Sequence, residues 1–515
     1  MHETILAADT AVARPPRGHY PNSDLWLDEQ IWGHRIYPQT PWLLFLECLT
    51  VAEYFLRKGA LLDEQGSYYP LVFYPLRRMH LRNILWNNDL IKSLENEKLD
   101  SNTSWKTWLE WMSEHAQNLH ENDFSYLKPR FEKFSDFAFL VGMLRDASVE
   151  GESNKRWTSR FVFPFGASAI YEDATLDGKR DYINFTRTGE LLYLMLCRSS
   201  VANELRPHLA QFLRGDNEWN KLLRVLEKTQ EENGTERKSS YLPYKKHPCF
   251  DRLAEDWLRL FELGLPNFDV LNHMVTMGAL HVLLYQLHVA AAWSNKQEPL
   301  TLLCEVVAPK KTLVRELSII NFQENNSLSG EAIQAYLTRI SESTEWQEAL
   351  ALATQQDQYS RCREILLQEV WWNDQDYNGG EDPATLVEFL RDKAQSRHQQ
   401  HAGEVHRSFG RLIGLVSRRA TNKFRYAPTD SFLKTLIFAN VRQRMELKEF
   451  FNLLFERYGL VFSEREAAQV IAEDEYDPKP FAANAARLEA RLSSLGLLRR
   501  LSDGCAYIIN PHGLE

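Results

Sequence analysis

The chain has 515 residues, 44% hydrophobic, 25% charged and 12% aromatic, a globular balance that excludes a disordered, collagen-like or low-complexity chain. A formal net charge of −10 excludes a polycation drawn as a whole to nucleic acid. At roughly 150 residues per domain, the length predicts two to four domains, each able to bury a core.

From the N-terminus, residues 1–17 lack a basic lead and Asp9 interrupts the one apolar run, so no signal peptide is expected. Arg14-Pro-Pro-Arg17 reads as a flexible tail. Six cysteines are scattered singly without a Cys-x-x-Cys pair, which predicts a reducing, cytoplasmic setting. Residues 20–58 are rich in aromatics, and Trp105, Trp108 and Trp111 recur every third residue along one side of a helix. Such a stripe can stack bases or sugars; anchoring a helix in a core is its expected use. Helical pattern continues to about Ala147. Strand character follows at Arg160–Phe165, with an Asp177-Gly178 turn before Tyr182–Phe185, so a small β element is expected near 160–185. Thr188 is the expected N-cap of the next helix.

The polar, aperiodic run Glu227–Ser240 marks a domain boundary. Val270–Asn295 has no Asp, Glu, Lys or Arg and is long enough to span a bilayer. Its Asn272, His273, Thr276, His281, Gln286 and His288 are costly in hydrocarbon, so the expectation is a buried core helix and no membrane. His281 and His288 lie two turns apart, too far to share a metal. A strand is expected at Leu300–Val307, and a second break at Asn373–Pro383. The expected domains are 1–235, 241–375, a basic helical segment 385–426, and 427–515.

Walker, dinucleotide-binding, His-Glu-x-x-His and nucleophile-elbow signatures are absent from the sequence. Asp173, Asp177 and Lys179 loosely echo the carboxylates and lysine of metal-dependent nucleases, although a solvated hairpin tip is the simpler reading. Cys249, in His247-Pro-Cys249, and Cys362 are possible thiolate nucleophiles, expected to be structural. No cofactor and no metal are expected, and the chain leans away from being an enzyme.

Residues 391–425 hold nine Lys or Arg against Asp392 and Glu404, a net charge of +7. Leu412, Ile413, Leu415 and Val416 lie between Arg411 and Arg418, which predicts an amphipathic helix with a cationic face. Arg407, Arg411, Arg418, Arg419 and Lys423 are its candidate phosphate contacts. The same face can dock on an acidic surface.

The last 85 residues predict helices at Ser431–Ala439, Glu446–Tyr458 and from Ser463, where Ser463 and Glu466 form a capping box. A helix at Phe481–Leu495 and a hairpin through Leu497–Leu501 and Cys505–Ile509 follow. Helices ended by a hairpin resemble a winged helix, whose third helix enters the major groove. That resemblance implies outward-facing Asn484, Arg487 and Arg491, side chains able to bond base edges, with Arg499 and Arg500 in the wing. The whole chain, large, tryptophan-rich and motif-poor, is also similar to accessory subunits of bacterial anti-phage systems.

The expectation is therefore a mainly α, multi-domain, cytoplasmic protein acting as a non-enzymatic DNA-binding or scaffold subunit, with duplex DNA and protein partners. A nuclease with an unrecognised site and a pure protein adaptor are the alternatives.

Overall fold

One long apolar helix lies mostly buried inside the molecule, because it needs cover on every side. The computed structural model describes all residues except 1–9, 20–23, 39, 75–78, 98, 117–118, 120, 147, 151–159, 163–186, 215–217, 229–236, 239, 297, 419–422, 474–475, 503–504 and 514–515. Among the described residues the fold is mainly helical, with a few short strands. The principal helices are α1 (Pro41–Arg57), α2 (Ser101–His115), α3 (Phe134–Asp146), α4 (Thr188–Cys197), α5 (Pro248–Glu262) and α6 (Asn267–Trp293). They continue with α7 (Leu313–Ser341), α8 (Pro383–Gln400), α9 (Ala402–Leu412), α10 (Asp430–Asn440), α11 (Leu447–Tyr458) and α12 (Pro478–Ser494).

Helix α6 is the expected core helix: its most apolar window is 89% buried. Helices α1, α5, α7, α9 and α10 pack around it. Its buried polar side chains each make a hydrogen bond, although His281 Nδ1 and Gln286 Oε1 have none. Gln286 Nε2 donates to the Ala402 carbonyl at 2.8 Å, and His273 Nδ1 lies 2.7 Å from Thr435 Oγ1.

Helices α1 and α4 cross so closely that a Cβ on Gly189 would stand 2.5 Å from the Leu44 carbonyl oxygen. At that crossing the Glu47 carboxylate accepts from the Arg187 and Gly189 amides at 2.9 and 2.8 Å. Glu47 thereby caps α4, and Thr188 is the first helical residue rather than the expected cap. The Arg14 segment is no flexible tail. Val12 N donates to the Pro243 carbonyl at 2.7 Å, and the Arg14 guanidinium sits over Trp26 and Trp371, 5.2 and 4.6 Å from the ring centroids. Cation–π stacking on two large rings holds what composition alone would leave loose.

A second core gathers α2, α3 and Leu223 and Leu226. Here Trp105 and Trp108 are buried, and Trp108 Nε1 donates to Asn88 Oδ1 at 2.8 Å, so the tryptophan stripe is packing. Strand β1 (Val72–Phe73) pairs with β4 (Arg237–Lys238), and β2 (Ser148–Glu150) with β3 (Arg160–Val162), both antiparallel. The Asp177-Gly178 turn lies outside the described residues.

The expected strand after Leu300 joins the middle of the chain to its end. Strand β5 (Leu302–Leu303) runs parallel to β9 (Leu460–Val461), and Glu305 N donates to the Tyr426 carbonyl at 2.9 Å. Val416–Ser417 (β6) and Arg425–Tyr426 (β7) form a hairpin; β8 (Arg444–Glu446), β10 (Leu498–Ser502) and β11 (Cys505–Ile509) make an antiparallel sheet in the order β10–β11–β8. One continuous core contains Leu25, Leu192, Trp257, Leu283, Val405 and Ile508. Solvated linkers do not separate cores when the segments on either side bury apolar faces on the same central helix.

Candidate functional site

The basic segment is not one amphipathic helix. Helix α9 ends at Leu412, and Gly414, at φ +83°, turns the chain into the β6–β7 hairpin. A left-handed glycine is the usual device for ending a helix, and Ile413, Leu415 and Val416 are then buried. The turn also scatters the cations. Lys393 pairs with Asp376 at 2.7 Å, Arg397 with Asp24 at 2.8 Å, Arg407 with Glu404, and buried Arg425 with buried Glu305. Arg391 bonds Gln334 and Thr338 on α7. Arg411, Arg418 and Lys423 remain exposed, with Arg418 over the Phe424 ring at 4.9 Å. Arg419 lies outside the described residues.

The outward face expected on α12 is turned inward. Asn484 is 0% exposed: Nδ2 donates to the carbonyls of Cys304 at 3.0 Å and Phe462 at 2.9 Å, while Oδ1 accepts from Val306 N at 2.8 Å. Arg487 Nε donates to the Val306 carbonyl at 3.3 Å. Arg491 pairs with Asp430 and donates to the Pro428 carbonyl at 3.0 Å. The leucine spacing predicts Leu488, Leu492 and Leu495 as buried; Leu488 and Leu492 are, Leu495 at the end of the helix is exposed, and the strand after Leu300 covers the helix's polar side as well. In the β10–β11 hairpin, Arg499 is exposed and Arg500 pairs with Glu489 at 2.7 Å.

A cleft of about 970 Å³ opens between α6, the end of α9 and α10. Arg411, Lys434, His273, His512 and Asp269 are its charged or titratable lining. Neither Arg411 nor Lys434 forms an ion pair among the described residues. Lys434 Nζ lies over the Phe438 ring at 5.1 Å, and the His512 ring meets the same ring edge-on at 5.3 Å. Burial lowers the His273 pKa to about 4, helped by the nearby Lys434 charge, so its imidazole is neutral near pH 7. Two cations against one carboxylate make this a place for an anion.

Two buried constellations lie elsewhere. Asp256 receives His281 Nε2 at 2.7 Å, Tyr458 OH at 2.8 Å and Arg457 Nη2 at 2.6 Å. Burial alone would raise the Asp256 pKa, but these bonds and charges outweigh it and hold the carboxyl below its usual value. Asp256 and His281 are both 0% exposed, and the network ties α5 and α6 to α11. His281 and His288 do not share a site, as expected from their spacing. His288 stands instead beside Cys249 and His247, the one group of three metal-ligand types close together among the described residues. Cys362 is buried, and burial pushes its thiol up to about 11. Asp173, Asp177 and Lys179 lie outside the described residues.

Sequence reasoning missed His273 and Lys434 as neighbours because 161 positions of chain separate two helices that pack only in three dimensions. The His247-x-Cys249 spacing was visible, and its partner on α6 was not. No protein-family model, curated protein or solved structure matches this chain.

Proposed function

We propose that this chain is a non-enzymatic scaffold subunit of a larger bacterial nucleic-acid-handling assembly of the anti-phage kind, holding duplex DNA by its phosphates. The observation that carries this reading is the cleft where Arg411 and Lys434, unpaired among the described residues, face a single carboxylate, Asp269. Arg418 and Lys423, on the hairpin that follows Gly414, add exposed positive charge. Phosphate contacts position a duplex without reading its sequence.

The C-terminal segment is, in this reading, a winged helix. The succession α10–β8–α11–α12–β10–β11, interrupted by β9 and a short helix Glu464–Ala467 before α12, and the sheet order β10–β11–β8 support it. Its third helix serves as a dock onto the rest of the chain, with Asn484, Arg487 and Arg491 as the clamps, and base readout is not its task.

Titration of the full chain with a duplex at low and at physiological salt tests the proposal. Wild type should bind, with affinity falling steeply as salt rises. Reversing Arg411, Arg418, Lys423 and Lys434 to Glu should abolish binding and leave the melting temperature nearly unchanged. No binding at low salt, or binding indifferent to the four changes, replaces DNA with a protein partner and makes the chain an adaptor.

A further inference from the structure

The start of α5 and the side of α6 bring three soft or borderline ligands together. His247 is the residue before α5, and its Nδ1 accepts the Cys249 amide at 3.1 Å. Cys249 Sγ lies 3.5 Å from His288 Nδ1. One ligand atom from each of His247, Cys249 and His288 lies within 4.8 Å of the other two. His247 is 3% exposed and Cys249 0%, while His288 is half-buried and leaves a way in from solvent.

A second feature points to a ligand. His247 Nε2 is buried without a hydrogen-bond partner, a costly state for a polar atom that a bound ion would relieve. The sulfur–nitrogen distance, a hydrogen bond as the site stands, is also compatible with a metal site. Zn–S near 2.3 Å and Zn–N near 2.05 Å at a tetrahedral angle put the two ligand atoms about 3.6 Å apart. We propose that His247, Cys249 and His288 form a zinc site with three protein ligands and a fourth position left to water or an exogenous donor.

The chemistry of loading is simple. The Cys249 thiol gives its proton to solvent as the Zn–S bond forms, and each imidazole offers a lone pair. Because Nδ1 of His247 now accepts the Cys249 amide, the neutral ring carries its proton on Nε2; ligation through Nε2 moves that proton to Nδ1 and ligation through Nδ1 takes its lone pair, so the cap bond is given up either way. Burial holds the metal-free thiol up at about 12, so the unloaded cysteine is a thiol and no ready nucleophile. Zinc uptake therefore releases a proton and weakens as pH falls.

The test uses the full chain, stripped with a chelator and titrated with Zn²⁺ against a colorimetric competitor, and separately with Co²⁺. One equivalent of Zn²⁺ should bind, and Co²⁺ should give a thiolate-to-metal charge-transfer band with tetrahedral d–d intensity. His288→Gln, at a half-exposed position that tolerates change, should weaken zinc at least about tenfold. Cys249→Ser should remove the charge-transfer band. Failure of folded wild type to bind zinc overturns the site. So does a cobalt complex without the thiolate band, or zinc affinity unchanged in His288→Gln. The wild-type cobalt spectrum decides the matter even if Cys249→Ser does not fold.

Discussion

Val306 and Asn484 lie 178 residues apart and are joined by a 2.8 Å bond from the Val306 amide to the Asn484 carboxamide oxygen. The same side chain closes two further carbonyls, so one residue satisfies three backbone groups from two segments, 304–306 and Phe462. Asn484→Ala should destabilise the protein by about 3–5 kcal/mol, because buried groups left unbonded cost about 1–3 kcal/mol each. Urea denaturation of the full chain measures it. A loss under 1 kcal/mol would mean that water replaces the carboxamide.

Gly189 allows the α1–α4 crossing. A methyl there would meet the Leu44 oxygen at 2.5 Å and the Cys48 nitrogen at 2.6 Å, both backbone atoms that cannot swing aside. Gly189→Ala should cost about 1–3 kcal/mol through overpacking, despite alanine's better helix propensity. A rise in melting temperature would show that the two helices can separate freely.

Asp256 balances Arg457 inside the protein. Asp256→Ala should cost about 3–5 kcal/mol, since it removes the buried acceptor of His281 and Tyr458 and leaves the half-buried Arg457 to Glu255 alone. The double change Asp256→Ala with Arg457→Met should recover part of that loss. Equal melting temperatures for the single and double variants would contradict the pairing.

Stability should fall in mild acid. Unfolded His273 protonates near 6.5, whereas in the fold, desolvated and near Lys434 and His512 with Asp269 opposing, it does so near 4. The unfolded chain therefore binds more protons between these values. Stability from this group is complete above about pH 6.5, is lost as pH falls toward 4 at about 1.4 kcal/mol per unit, and levels off below. His273→Asn should give a shallower fall of melting temperature over that window. An unchanged slope would assign the acid sensitivity to other buried histidines, such as His406, which burial lowers to about 3.

Local periodicity carried far in this sequence. It identified α6 as a core helix, Leu488 and Leu492 as buried, and the break before Pro383, where Asp382 caps α8. Where it misled, an element distant in the chain supplied the deciding contact. Glu47 displaced Thr188 as a cap, Trp26 and Trp371 captured Arg14, and the strand after Leu300 covered Asn484. The basic run misled for a local reason, because Gly414 breaks the helix that its charges seemed to share. The cleft itself was illegible, since Arg411, Lys434 and His273 come from three helices.

The parallel pairing of Leu302 with Leu460 bears on how the chain is made. The first strand leaves the ribosome roughly 160 residues before its partner, a delay of about 8–30 s at ~5–20 residues per second. Through that interval the nascent middle region carries an open strand edge, and for most of it α6 is still missing α9 and α10. Such a polypeptide invites chaperone binding during translation, and a stop codon anywhere before residue 460 should yield an aggregating product rather than a shorter working one.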